Sequence, residues 1–466
     1  MSNKVVKAGI GYTIGNFLVK GINFLTIPIF ARLLSVSDYG LYNTYLAYEG
    51  IFFSIVGLAL QMSLKNAKYK YGDKYYSYIS SILLLEILLM IAWILIIIVF
   101  HGAILTSIGY GYFISFLLIV QCTSSSVLSL YNIHLSLNYS FKSYVIVTAF
   151  NALMNISISI LLILTIFYNE RFVGRVIGTV IPLALLCVLI CIKFWKNNTP
   201  RINWDYWKYG VSYSLPLIPH AISQVILNQF DRVMINEIKG AAYAGIYSFA
   251  YNIFMIISVV MYSLDNVWSP WFYENFQKKN EGQIKRKSTQ YALGMFFLSV
   301  TIMLISPELV IILGTDEYYD AVYSVIPICS GGFFMFLYSI PSQVEYYLGK
   351  TRYIALGTAV AAILNVSLNL YFIPQYGYIS AAYTTELAYI FYFIMHYLIA
   401  RKLLKYSIFD GYKLFILGFV CVIISFLAVL FLKIWIIRWG SLGLMVLVGF
   451  YYMERKGITI QYILQK

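Results

Sequence analysis

Ionisable side chains fall inside runs that are otherwise apolar: Lys20, Arg32, Glu49, Glu86, Asp231, Arg232, Glu345 and Glu386, with Lys239 about two helical turns beyond the 231–232 pair. In a low-dielectric setting Lys and Arg hold phosphate oxygens, Arg with a bidentate fork, while a carboxylate takes up a proton or a small cation. Burying one such group at a bilayer centre costs at least roughly 2.5–3.5 kcal/mol, so each is expected to face a bundle interior or a wet cavity. In the stretch ILNQFDRVMINEIKG, Asp231 and Arg232 are neighbours, project about 100° apart on a helix, and so do not neutralise each other on one face. Other chemistry is disfavoured. The four histidines (His101, His134, His220, His396) are scattered, and the five cysteines (Cys122, Cys187, Cys191, Cys329, Cys421) lie in apolar runs without paired spacing, so no metal site, disulfide framework or catalytic residue is expected.

The elements that must position these groups are membrane spans. Of 466 residues, 61% are hydrophobic and 11% charged, and runs such as 79–100 and 415–432 match a hydrocarbon core of roughly 30 Å. The expected fold class is an all-α polytopic membrane protein of about fourteen transmembrane helices. The first begins near Gly9 and carries Lys20 at mid-depth, unlike a cleaved signal peptide. With the N-terminus cytoplasmic, most of the 33 Lys and Arg residues fall in inside loops and at the C-terminus, which places both termini on the cytoplasmic side. The net charge of +14 is thereby explained by anionic lipid headgroups, without nucleic acid. Lys20 with Glu86 reads equally as an ion pair between adjacent helices, and Arg32 as a side chain snorkelling to the outer interface. Pro216 and Pro219 in one opening helix and Pro28 in the other predict bends. The segment VWSPWFYENFQKK predicts an interfacial amphipathic piece.

An internal repeat organises the spans. TAFNALMNISISI from Thr148 aligns without gaps to TAVAAILNVSLNL from Thr358, an offset of 210, with Asn155/Asn365 and Ser157/Ser367 identical; GLYNTY at Gly40 aligns to GIYSFA at Gly245, an offset of 205. The repeat unit is six helices, and six is even, so the copies run parallel. Two six-helix lobes around a central cavity are expected, residues 1–200 and 201–405, followed by two additional transmembrane helices in 406–466.

The segments GNFLVKGINFLTIPIFARLLSVSDYGLYNTY, NQFDRVMINEIKGAAYAGIYSFAYNI, ILGTDEYYDAVYSVIPI and NVSLNLYFIPQYGYISAAYTTELAY, in this order, carry a resemblance. The chain resembles the polysaccharide or O-antigen flippase family of the multidrug/oligosaccharidyl-lipid/polysaccharide exporter superfamily over essentially its whole length, departing conservatively at Ser380, where that family has Gly. The resemblance implies translocation of undecaprenyl-pyrophosphate-linked oligosaccharide units from the inner to the outer leaflet of a bacterial cytoplasmic membrane by alternating access, for O-antigen, capsule or exopolysaccharide. It makes Lys20 and Arg232 the expected headgroup cations, with Arg32 and Lys239 at the outer mouth. Asp231, Glu49, Glu386 and Glu86 are the candidates for ion coupling or charge balance, the coupling ion being H+ or Na+ and no other cofactor being implied. Implied partners are the lipid-linked substrate, membrane lipids, and polymerase and glycosyltransferase enzymes. A cation-coupled multidrug antiporter of the same superfamily is the alternative, although the cations favour an anionic cargo. A membrane polymerase or glycosyltransferase would need a large external loop, and the external loops are short.

Overall fold

The computed structural model describes residues 3–100 and 110–455, and every long element in them is a helix. The first helices are α1 (Asn3–Leu33), α2 (Val36–Val56), the short α3 (Leu64–Tyr71), α4 (Tyr75–Val99), α5 (Tyr112–Leu137), α6 (Phe141–Leu164) and α7 (Arg171–Asn197). Then come α8 (Trp204–Ser214), α9 (Ile218–Lys239), α10 (Ala241–Gln277), α11 (Glu281–Leu304), α12 (Ser306–Leu313), α13 (Val322–Tyr347), α14 (Thr351–Tyr376), α15 (Ser380–Leu404), α16 (Gly411–Leu430) and α17 (Trp435–Arg455). Among the described residues, nine helices are long and apolar enough to cross a membrane, and ten if α11 and α12, bent by 63°, form one broken span. The chain is a multi-pass membrane protein. Outside that set stand α1, α2, α9 and α17. All four have the length, since 21 residues of helix rise about 31 Å; the first three also carry Lys20, Glu49 and the Asp231–Arg232 pair. A helix with a wet or polar neighbour does not need lipid-grade hydropathy on every face.

One of the proline signals marks a break between helices. Pro216 sits in a 3-10 turn, Leu215–Leu217, that separates α8 from α9. Pro28 instead lies inside an unbroken α1, whose last turn is closed by side chains: Arg32 Nη1 donates to Pro28 O at 3.0 Å, and Arg171 Nη1 donates to Leu33 O at 2.8 Å. The expected interfacial piece after residue 264 is not separate. It continues α10 as one helix of 37 residues that contains Pro270, with Trp268 stacked on Trp271.

The chain forms two compact units, Met1–Gly245 and Ile246–Lys466. In the first, α5 and α7 pack together, α6 covers α7, and α1 lies along α6; α8 and α9 also belong here, α9 antiparallel to α2. Two apolar clusters form its core, one centred on Leu60, Tyr78, Leu135 and Leu186, the other on Tyr45, Ile119, Val176 and Val233. In the second unit α13 is the central helix, flanked by α15, α11 and α16, with α14 against α15.

The sequence repeat is visible in the helix boundaries. Helix α5 and helix α13 are each 26 residues long and begin at 112 and 322; α6 and α14 begin at 141 and 351, so the offset of 210 holds over both.

Candidate functional site

Antiparallel packing of α2 on α9 brings several candidate residues onto facing helices. Gly50 faces Val225 and Gln229, Thr44 Oγ1 donates to the backbone O of Arg232 at 3.5 Å, and Gly40 meets the backbone of Ala241 and Gly245. Glu49 lies on the same helix but is turned towards α5, where its side chain bonds Ser125 and its backbone O accepts from Cys122 Sγ at 3.7 Å. The two neighbours differ as the 100° separation requires. Asp231 is 1% exposed, whereas Arg232 is half-buried, as is Lys239 in the last turn of α9. Val233 beyond them points into the tyrosine-rich core with Tyr42, Tyr45 and Tyr48.

The remaining candidates sit apart. Lys20 is half-buried on α1. Arg32 is exposed, and its bond to Pro28 O keeps it on its own helix end, in keeping with a snorkelling side chain. Glu86 is buried in α4 and accepts a 2.7 Å bond from Ser126 Oγ, close to Gly57 and Gln61. Glu49 is hydrogen-bonded to Ser125 through its side chain. In the second unit, Glu386 is buried on α15 beside Ser330 and against Gly331 of α13, where the missing side chain lets the helices approach. Among the described residues there is no cluster of three or more His, Cys, Asp or Glu that could hold a metal ion.

Two features escaped the reading of the sequence. The first is Arg175 on α7, which is 9% exposed. Its Nη1 donates to Asn155 Oδ1 at 2.5 Å, Ser159 Oγ at 2.7 Å and Thr179 Oγ1 at 3.3 Å, and its guanidinium lies 3.9 Å from the Phe30 ring centroid and 4.4 Å from that of Tyr42. It is a buried cation held by neutral groups and ring faces. The repeat offset carries the signal that would have found it. Asn155, Ser159 and Arg175 correspond to Asn365, Asn369 and Thr385; in the second unit Asn365 Nδ2 donates to Thr385 Oγ1 at 3.0 Å and Asn369 Nδ2 donates to Asn365 Oδ1 at 3.3 Å. One interhelical polar link is thus built twice, with arginine in one copy and threonine in the other. The second feature is a buried carboxylate–imidazole pair, Glu345 with His396, at 2.6 Å.

Comparison with known proteins follows the same lines. The chain is 23% identical to a Lsg locus protein of Haemophilus influenzae over 382 residues, 78% of this chain and 90% of that one. It is 22% identical to the "Probable low-salt glycan biosynthesis flippase Agl15" of Haloferax volcanii over 404 residues, 84% of this chain and 82% of that one. Among solved structures, the lipid II flippase MurJ in an inward closed conformation superposes with a TM-score of 0.74 at 15% identity, covering 97% of this chain and all of that one. An inward-facing multidrug resistance MATE family transporter gives 0.62 at 15% identity, covering 84% and 99%. These likenesses show a transporter fold of the MurJ and MATE type. With the polysaccharide biosynthesis protein family model matching residues 5–276, more than half its length, the chain belongs to that family.

Proposed function

We propose that this protein is a flippase that moves an undecaprenyl-pyrophosphate-linked oligosaccharide from the cytoplasmic to the outer leaflet of a bacterial cytoplasmic membrane, with both termini cytoplasmic, and that it is a transporter with no catalytic role. The observation that carries the reading is the family match over residues 5–276. The glycan flippase name of the Haloferax volcanii relative supports it. So does charge. A sugar-pyrophosphate headgroup cannot cross hydrocarbon without partners, because its charges and hydroxyls would be desolvated. Lys20 and Arg232, half-buried on helices too polar for lipid alone, are the groups assigned to the pyrophosphate, with Arg32 and Lys239 nearer the outer surface. Asp231, buried beside Arg232, is assigned to charge balance or to coupling with H+ or Na+, with Glu49, Glu86 and Glu386 as further coupling candidates. Polymerase and glycosyltransferase enzymes would act after and before this step.

The test is deletion of the gene in its host, with measurement of lipid-linked oligosaccharide on the inner leaflet and of surface polysaccharide. The expected result is accumulated intermediate and lost polymer, both reversed by the wild-type gene but not by Arg232→Ala at equal expression. Unchanged polymer in a host without a second flippase would overturn the reading and favour drug efflux.

A further inference from the structure

Glu345 on α13 and His396 on α15 form a fully buried acid–base pair. Both side chains are 0% exposed, and Glu345 Oε1 lies 2.6 Å from His396 Nδ1. The other polar atom of each, Glu345 Oε2 and His396 Nε2, is buried without a hydrogen-bond partner. The surroundings are aromatic: His396 lies 4.5 Å from the Tyr392 ring centroid and 5.7 Å from that of Tyr338, and Gly357 of α14 closes over Nε2. The ionisable groups facing the pair are Tyr338 and Tyr346 on α13 and Tyr392 on α15; Asp265 on α10, held by Gln343 at 3.2 Å, lies near Tyr338 and Tyr346. Lys350, at the start of α14, reaches Glu345 through a bond between their backbones.

The repeat shows that the bundle does not need this pair for packing. At the offset of 210 its counterparts in the first unit are Leu135 and Leu186, two leucines buried in one apolar cluster. Replacing a buried polar pair with well-packed apolar residues is commonly neutral or stabilising, so the pair is retained in one copy at a cost in stability. Its charge states suggest what that cost supports. With one shared proton the pair is neutral overall; losing that proton leaves a net negative charge, and gaining another a net positive one, in a fully buried site walled by tyrosines. Either change demands water, and therefore opening of the α13–α15 contact.

We propose that Glu345 and His396 are a proton-binding site of the second unit, holding one exchangeable proton when closed and exchanging it only when the α13–α15 contact opens. Tied to the flippase reading, on which only this coupling role rests, proton exchange here links the conformational cycle to the proton gradient.

The test is direct. Purified protein in detergent is titrated potentiometrically from roughly pH 9 to roughly pH 5. Wild type is compared with E345L/H396L, which installs the first unit's residues, and with E345Q, which keeps shape and a hydrogen bond but removes the carboxylate. Because the pair exchanges its proton through the open form at equilibrium, E345L/H396L, which lacks both groups, is expected to take up about one proton fewer per molecule. Superimposable titration curves for wild type and E345L/H396L overturn the site. In the deletion host, E345Q is expected to lose the stimulation of polymer export by an imposed pH gradient. If wild type itself exports no lipid-linked oligosaccharide, the flippase reading falls while a titration difference still stands for the site.

Discussion

Arg175 offers a quantitative test of the repeat as a physical unit. Three bonds from one charged nitrogen, each worth roughly 1.5–3 kcal/mol net when one partner is charged, hold the guanidinium, and desolvation of the ion returns several kcal/mol of that. The removal of the side chain is therefore better gauged by what it leaves behind. Arg175→Ala strands Asn155 Oδ1 and Ser159 Oγ, the latter fully buried, at about 1–3 kcal/mol per unsatisfied group, so a loss of about 2–4 kcal/mol is expected. Arg175→Thr should cost less, because threonine can bond Asn155 as Thr385 bonds Asn365. Ser159 would still lack its partner. Adding Ser159→Asn supplies the group that Asn369 provides in the second unit, so S159N/R175T should recover about 1–2 kcal/mol beyond additivity in a double-mutant cycle. Unfolding in mixed micelles over an SDS series measures each value. If the double variant is no better than the sum of the single ones, or if Arg175→Ala is neutral, the two polar links are not equivalent and the repeat argument fails at these helices.

Other consequences are simpler to state. Gly40→Ala and Gly245→Ala should both abolish stable expression, since a Cβ at either position runs into backbone, of Ala241 and of Val36 respectively; a normal size-exclusion profile for either would show that α2 and α10 can separate there. Arg438 spans the break between α11 and α12, bonding Leu304 O at 2.8 Å and the two oxygens of Glu308 at 2.7 and 2.9 Å. Because Glu308 is one-third exposed, Arg438→Leu is expected to cost only about 1–3 kcal/mol, with Arg438→Lys recovering little of it for want of the fork, as read by thermal unfolding in detergent. Asp410 caps α16, and its bond with Lys413 holds its carboxyl below the ordinary value of 3.8. A lowered folded value means that its contribution is present above that pH and is lost as the pH falls through the lowered one, so Asp410→Ala should destabilise by an amount flat across neutral pH and shrinking only in strong acid.

Much of the fold could be read from the chain because its signals are local or periodic. Apolar runs of membrane length set the helices, the Pro216–Pro219 cluster broke one of them, and the offset of 210 recurs in the starts of α5 and α13 and of α6 and α14. The candidate residues were legible only in part. That Asp231 and Arg232 would differ in environment followed from helical geometry, and they do. The bonds of Glu86 to Ser126 and of His396 to Glu345 did not, because partners 40 and 51 residues apart are chosen by helix packing, which a single sequence does not display. Arg175 was hidden for another reason: near the start of its span, it reads like an ordinary interfacial cation.

The repeat turns that blindness into a method. Two copies of one helical arrangement inside a single chain solve the same packing problem, so a residue present in both is required by packing, and a charge present in only one is not. Asn155 and Asn365 pass the first test; each bonds the helix that follows, at a separation of 20 residues. Glu345 and His396, with leucines at the matching places, meet the second. Arg175 lies between these cases, because its link is shared and only its charge is private to the first unit. By this reasoning, exchanging residues between the copies separates what the bundle needs to stand from what it keeps in order to work, which single substitutions to alanine cannot do.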